Sequence, residues 1–361
     1  MTPHDEQSTG SRVGPLLVIV FAIAALASAC SGGSRGSTSS GERVRLIAPG
    51  GLRSLLARER RTGAQSTSTT TPPTTTTLPT APFPVAHTTL HLVDTTRGSP
   101  ARGGAPAEPH RALVTTVYYP ASEAPSDATP EPPPAAGRFP LVVFAHGYEI
   151  DAAAYAPLLH DLATGGFVVA APDFPGTSTA YGGAANRADT LEQPADLSFV
   201  ITSLLHASAN PGLLHDTINP DEIGDSGHSD GGVTAAATAY NTCCIDPRIK
   251  AATILTGGAF GFEGQWFPPG TPPVMFVHAV GDEINPYGAS TSMFSQAQSP
   301  KYLLTVEDGS HLEVFVDPPW EPEVAQAMIA FYDLYLKHDA TAEARLHTEG
   351  DQPGMLTLEQ G

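Results

Sequence analysis

Basic residues are scarce in this chain. Its 361 residues carry 18 Lys and Arg against 37 Asp and Glu, a formal net charge of −19. The deficit is uneven. Between residues 30 and 65 seven Arg stand against Glu42 and Glu59, whereas from residue 66 onward ten Lys and Arg face 33 acids, a net of −23 (10 − 33). So acidic a body repels phosphate backbones and argues against nucleic acid as a partner. Cysteine is equally sparse, with three residues. No Cys, His or Asp cluster has the spacing of a zinc or calcium site, and no glycine-rich dinucleotide or phosphate loop occurs. The expectation is no metal and no cofactor.

Long apolar runs are also few, and one lies at the start. Residues 13–29, "VGPLLVIVFAIAALASA", end in small residues ahead of Cys30. The run reads as an export signal, and "LASAC" resembles a bacterial lipobox in which Cys30 is lipidated and becomes the mature N-terminus. An uncleaved membrane anchor, or a plain signal cut near Ala29, would place the rest of the chain outside the cytoplasm as well. Residues 30–82 are rich in Ser and Gly, then Arg, then Thr and Pro. That composition cannot bury enough apolar surface to offset the entropy of ordering, so a tether is expected. Its arginines could rest on anionic headgroups, or the stretch could be an ordinary solvated linker.

The remainder, 83–340, alternates two kinds of segment, and a flexible tail is expected at 341–361. "HTTLHLVD" and "ALVTTVYYP" read as two strands, with an antiparallel start. Apolar runs then recur at "PLVVFAHG", "GFVVAAPDFPG", "DEIGDSGHS", "IKAATILTGG", "PPVMFVHAVGD" and "KYLLTVEDGS". Helical stretches separate them at 152–164, 191–207, 231–240, 290–298 and 321–337. Short apolar strands alternating with helices imply an α/β fold with a mostly parallel sheet of about eight strands, helices covering both faces. Working residues then belong at the carboxyl ends of strands.

Ser229 stands at such an end, in "GDSGHSDGGVTAAATAY". Gly227 and Gly231 have no Cβ and permit a tight strand-to-helix turn, and Ala235, Ala236 and Ala237 let the helix approach the sheet. The turn resembles the G-x-S-x-G nucleophile elbow of the α/β-hydrolase fold. The pattern alone is weak, since Gly32, Ser34 and Gly36 match it too. Only the copy at Ser229 has a strand before it and a helix after it.

A serine hydroxyl becomes a nucleophile when a base takes its proton and a carboxylate orients that base. Asp282 follows the strand "PVMFVHAV", and His311 follows "YLLTV" inside "EDGSHLEVF". Ser229, Asp282 and His311 therefore occupy successive strand ends in the order this fold requires. Glu283 could replace Asp282 if the loop were shifted by one. Two N–H donors are needed for the oxyanion. The backbone of Asp230, after the nucleophile, should supply one, and Tyr148 in "FAHGYEI" the other, with its ring lining the acyl pocket. His146 reads as a loop-shaping residue. In "GAFGFEGQWFPPGTPP", Phe260, Phe262, Trp266 and Phe267 form either an aromatic wall, with Trp266 touching substrate, or a loop packed on the body.

Taken together, "RFPLVVFAHGYEIDAAAYAPLLHDLATGGFVVAAPDFPG", "PADLSFVITSLL", "GHSDGG" and "GDEINPY" resemble the α/β-hydrolase superfamily. The branch they look most like comprises the dienelactone-hydrolase, chlorophyllase and platelet-activating-factor-acetylhydrolase-like serine esterases, related to bacterial polyester hydrolases and cutinase-like enzymes. True dienelactone hydrolases use a Cys nucleophile where this chain has Ser229, so that substrate does not carry over. The resemblance implies a carboxylic-ester hydrolase acting on a small, lipid or polymeric ester, anchored at Cys30 to the outer face of the cytoplasmic membrane. Amide, thioester or phospholipid substrates, and a non-catalytic binding protein, are the alternatives. Oligomeric state is not legible.

Two features depart from the resemblance. Asp225 lies in the strand leading to the elbow, where an apolar residue is usual, and must be hydrogen-bonded, ion-paired or protonated if buried. Asp230 sets a charge beside the oxyanion donors, favourable to the helix dipole if it points away from substrate. Adjacent Cys243 and Cys244 could close a ring disulfide in an oxidising compartment or remain thiols.

Overall fold

The computed structural model describes residues 82–361. The export signal, Cys30 and, apart from Pro82, the tether lie outside the described residues. No helix among the described residues is long and apolar enough to cross a membrane.

Strand-forming runs assemble into one nine-stranded sheet in the order β1-β2-β4-β3-β5-β6-β7-β8-β9. The first two, β1 (Val85–Asp94) and β2 (Arg111–Pro120), pair antiparallel, as expected from the sequence. Six parallel strands then form the centre, β3 (Phe139–Ala145), β4 (Val168–Pro172), β5 (Ile218–His228), β6 (Ile249–Leu255), β7 (Val274–Ala279) and β8 (Lys301–Val306), in the spatial order β4-β3-β5-β6-β7-β8. Every residue of β3 and β4 is buried. That is why these segments are continuous apolar runs rather than alternating ones: both faces of the central strands are covered.

The covering helices divide between the faces. On one side α2 (Gln193–Ala209), α3 (Asp230–Tyr240) and α4 (Gly288–Gln296) pack Leu197, Ile201, Ala235, Ala239 and Met293 against Leu141 and Val143. On the other, α1 (Ala156–Thr164) and α5 (Trp320–Leu336) pack Leu158, Leu162, Met328 and Phe331 against Val142 and Phe144. Successive residues of β3 thus feed opposite cores, as the two-residue period of a strand requires. The architecture is an α/β-hydrolase fold.

Residues 341–361 do not form a flexible tail. They fold as α6 (Ala342–Gly350) and β9 (Leu356–Gln360), and β9 pairs antiparallel with β8 to make the ninth strand where about eight were expected. The cause is an open edge: β8 would otherwise leave its N–H and C=O groups unpaired, and β9 covers them while burying Leu356.

Asp225 in β5 is fully buried, and neither carboxylate oxygen has a hydrogen-bond partner. Burial drives its pKa well above the usual carboxylate range, with the charge of Asp246 adding to the effect. Of the three ways to tolerate a buried carboxyl, side-chain hydrogen bonding and ion pairing are not used here, and burial favours the protonated form. Cys243 and Cys244 form a disulfide between neighbours in the turn after α3.

Arg111 is fully buried on β2 and donates to both carboxylate oxygens of Asp189 and both of Asp196, at 2.6–2.7 Å. Arg97 shares Asp196 at 2.7 Å. This cluster ties the antiparallel edge of the sheet to the short 3-10 helix at Arg187–Glu192 that precedes α2. Removing the cation would strand two buried charges, which is costly.

Candidate active site

Ser229 joins β5 to α3 with φ 57° and ψ −122°, a left-handed conformation for a residue with a side chain. Such strain persists only where the surroundings impose it. Here the two flanking glycines are obligatory. A Cβ at Gly227 would lie 2.2 Å from the Gly231 carbonyl oxygen, and one at Gly231 only 2.1 Å from that of Ala145. The chain can therefore turn sharply against β3 and lift the serine hydroxyl clear of the sheet.

The loops after β7 and β8 bring Asp282 and His311 to the same point. The Ser229 hydroxyl donates to His311 Nε2 at 2.9 Å, and His311 Nδ1–H donates to Asp282 Oδ2 at 2.7 Å. Because an ionised carboxylate only accepts, the bond to Asp282 assigns the tautomer and leaves Nε2 free to take a proton. His311 is 5% exposed and the Asp282 side chain is fully buried. Burial alone would raise the Asp282 pKa. Hydrogen bonds from His278, His311 and the Asn285 N–H outweigh it and hold the carboxyl well below the usual range.

His278, within β7 and ahead of Asp282 in the chain where His311 follows it, also faces this carboxylate. Its Nε2 lies 3.3 Å from Asp282 Oδ2, while Nδ1 accepts from the Ser290 hydroxyl at 2.8 Å. Oδ1 of Asp282 accepts the N–H groups of Ile284 and Asn285, each at 2.8 Å. Glu283 does not take the orienting place. Its carboxylate accepts the backbone N–H of His311 at 3.1 Å, pinning the loop rather than the ring.

A second relay runs beneath the first. The N–H of Gly147 donates to the Tyr155 hydroxyl at 3.2 Å, and that hydroxyl donates to His228 Nδ1 at 2.7 Å. His228 Nε2–H in turn donates to the His311 carbonyl at 2.9 Å. Every polarity is fixed only if His228 is neutral, and burial, reinforced by the neighbouring His311, pushes its pKa down to about 3. The relay links the loop after β3, the start of the α1 region, the elbow and the His311 loop. Nothing in the spacing of Tyr155 and His228 foretold it.

With Gly147 N–H occupied, the next donor along that loop is Tyr148. Among the described residues, the backbone N–H groups of Tyr148 and Asp230 have no acceptor within the protein. His146 shapes the loop, as expected. Its Nδ1–H donates to the Gly147 carbonyl at 2.7 Å and its Nε2 accepts the N–H of Phe174 at 3.0 Å, with burial lowering its pKa.

The Asp230 side chain is turned aside by Arg187, which donates to both of its oxygens at 2.8 and 2.5 Å. The same guanidinium lies 5.4 Å from the centre of the Tyr148 ring. A cleft of about 390 Å³ opens over these groups, walled by Tyr148, Ile150, Arg187, Ile284, His311 and Leu312. Trp266 lines neither this cleft nor a smaller groove beside it, between Leu191 and Val233, which corrects its expected place against substrate. Its ring is held by Phe262 and Phe267, on a loop bridged to Asn241. Phe260 and Phe262 from the same loop do reach the groove. Among the described residues no group of His, Cys, Asp or Glu is arranged to hold a metal ion.

Residues 114–256 match the family model described as Chlorophyllase. The matched stretch begins within β2 and ends just after β6. It takes in Tyr148, Ser229 and Asp230 and stops before Asp282 and His311. No curated protein matches the chain.

Proposed function

We propose that this protein is a serine esterase that cleaves carboxylic esters through an acyl-serine intermediate. The observation that carries the reading is the hydrogen-bonded series Ser229–His311–Asp282 at a strained strand-to-helix turn, beside two unengaged backbone donors. The match of residues 114–256 to an esterase-type family supports it.

In this mechanism His311 Nε2 takes the Ser229 proton as Oγ attacks the ester carbonyl carbon. The π electrons move onto the carbonyl oxygen, where the N–H groups of Tyr148 and Asp230 stabilise the negative charge. One such donor is worth about 10²–10³ in kcat. Collapse of the tetrahedral species breaks the carbon–oxygen bond to the alcohol, which takes its proton from His311. Water, deprotonated by the same imidazole, then attacks the acyl-serine and releases the carboxylic acid. Asp282 holds the ring in the required tautomer and stabilises its protonated form.

The test is covalent labelling by a fluorophosphonate together with hydrolysis of p-nitrophenyl acetate, each in wild type and Ser229→Ala. Both signals should vanish in the variant. A folded wild type that neither labels nor turns over ester would refute the esterase reading and favour a binding protein on the same fold.

The reading extends to location: the enzyme is exported and held at the outer face of the membrane by a lipid on Cys30, following the apolar run and small residues before it. Metabolic labelling with a radioactive fatty acid should mark the wild type and not Cys30→Ala, and an unlabelled wild type would refute the lipid anchor.

A further inference from the structure

Beside the catalytic cleft lies a smaller groove of about 140 Å³, bounded by Thr190, Leu191, Val233, Phe260 and Phe262, which shares Arg187 and Asp230 with the cleft as common walls. Two of its apolar residues are strongly exposed, Leu191 at 55% and Phe260 at 54%. Large exposed apolar side chains flanking a concave site point to a ligand rather than to folding.

The position of the groove relative to the proton path says what it can hold. His311 must deliver its proton to the leaving oxygen, so the alcohol part of a substrate lies on the side of His311, against Ile284 and Leu312. The acyl part then extends the other way, past the N–H of Asp230. That direction leads along the first turn of α3, where Val233 follows Asp230 by three residues on the same helix face and the groove begins. The single cation at its mouth, Arg187, is consumed by both oxygens of Asp230, so no free positive charge waits there for a carboxylate.

We propose that this groove is the acyl-chain subsite of the enzyme, taking an uncharged, unbranched aliphatic acyl group; the inference rests on the esterase reading above. At about 30 Å³ per methylene, close to the volume of a water molecule, the groove holds roughly four or five of them. Counting the carbonyl carbon and the carbon that crosses from cleft to groove, the fitting acyl groups have about six or seven carbons. Each methylene moved from water into the groove raises kcat/KM about fourfold, the equivalent of about 0.8 kcal/mol. The rise should stop once the groove is full.

The experiment compares p-nitrophenyl esters from acetate to dodecanoate, and hexyl acetate beside them, in wild type, Leu191→Glu, Phe260→Asp and Leu213→Glu. Leu191 and Phe260 are exposed, so the substitutions spare the core while setting a carboxylate in the groove. Leu213, exposed at 37% and outside both cavities, is the control. The expected result is a kcat/KM that climbs to hexanoate or heptanoate in wild type. In both groove variants the hexanoate-to-acetate ratio falls at least tenfold, and in Leu213→Glu it is unchanged. A ratio that both groove variants preserve overturns the subsite while leaving the esterase intact. Sensitivity of hexyl acetate instead of the hexanoate ester would assign the groove to the alcohol and overturn the proposal equally. No Ser229-dependent turnover of any ester removes the esterase reading and the subsite with it.

Discussion

Replacing Asp225 should stabilise the protein, and by an amount that depends on pH. The carboxyl is fully buried in β5, has no hydrogen-bond partner on either oxygen, and is driven by burial to a pKa well above its ordinary value. Two separate costs follow. The first is a buried polar group without partners, about 1–3 kcal/mol judged from substitutions in proteins. The second is proton linkage. In the unfolded chain the group ionises near pH 4, whereas in the folded chain it stays protonated to higher pH. Folding then binds a proton, so the stability contributed by the neutral form is complete below about pH 4 and is lost as pH rises. The slope is about 1.4 kcal/mol per pH unit until the buried carboxyl itself ionises.

Two variants separate these costs. Asp225→Asn removes the titration and keeps buried polar atoms. Asp225→Val removes both and suits a strand. Denaturant unfolding of the purified full-length chain from pH 4.5 to 8 supplies the comparison. The difference in stability between Asp225→Asn and wild type should grow with pH at up to the slope given above. Asp225→Val should lie about 1–3 kcal/mol above Asp225→Asn throughout, or about 2–12 °C in melting temperature at 2–4 °C per kcal/mol. Because other titrating groups cancel in the difference, parallel curves for wild type and Asp225→Asn would refute the reasoning, since they would mean that the carboxyl ionises alike in both states.

Two further outcomes follow from the site. Asp282→Asn replaces an acceptor with an amide that can present a donor to His311 Nδ1, favouring the wrong tautomer. Ester turnover should fall by about 10⁴ in kcat, as the equivalent change does in a Ser-His-Asp triad, with little change in the fold by circular dichroism; a loss under tenfold would exclude Asp282 as the orienting group. Tyr155→Phe removes the hydroxyl between Gly147 N–H and His228 Nδ1, leaving a buried donor and a buried acceptor unpaired. At about 1–3 kcal/mol for each, the melting temperature should drop by several degrees, and an unchanged melt would show that the relay contributes nothing to stability.

The central sheet was readable because covered strands must be apolar on both faces. β3, β4, β6, β7 and β8 all stood out as short apolar runs between breakers. The elbow was readable too, since only glycine fits at 227 and 231, where a Cβ would strike carbonyl oxygens. Where burial is slight the pattern fades. The strand β9 buries Leu356 and Leu358 alone, and α6 buries Ala342, Leu346 and Gly350, so a polar stretch passed for a tail. What pairs β9 is the exposed edge of β8, which precedes it in the chain by two α-helices. For Trp266 residue type left two readings open, a wall for substrate or packing on the body, and aromatic packing with Phe262 and Phe267 holds its ring.

The sequence by itself determined the layered fold, the turn that carries Ser229 and the order in which Asp282 and His311 follow, because each depends on local periodicity, steric need or chain order. Only the tertiary structure decided which side chains meet. The pairing of Arg187 with Asp230, the Tyr155–His228 relay, the approach of His278 to Asp282 and the apolar groove beside Val233 all join different elements of the fold. Hydrogen bonds act over about 3 Å in space, and the distance between their partners along the chain leaves no local signal in composition or spacing.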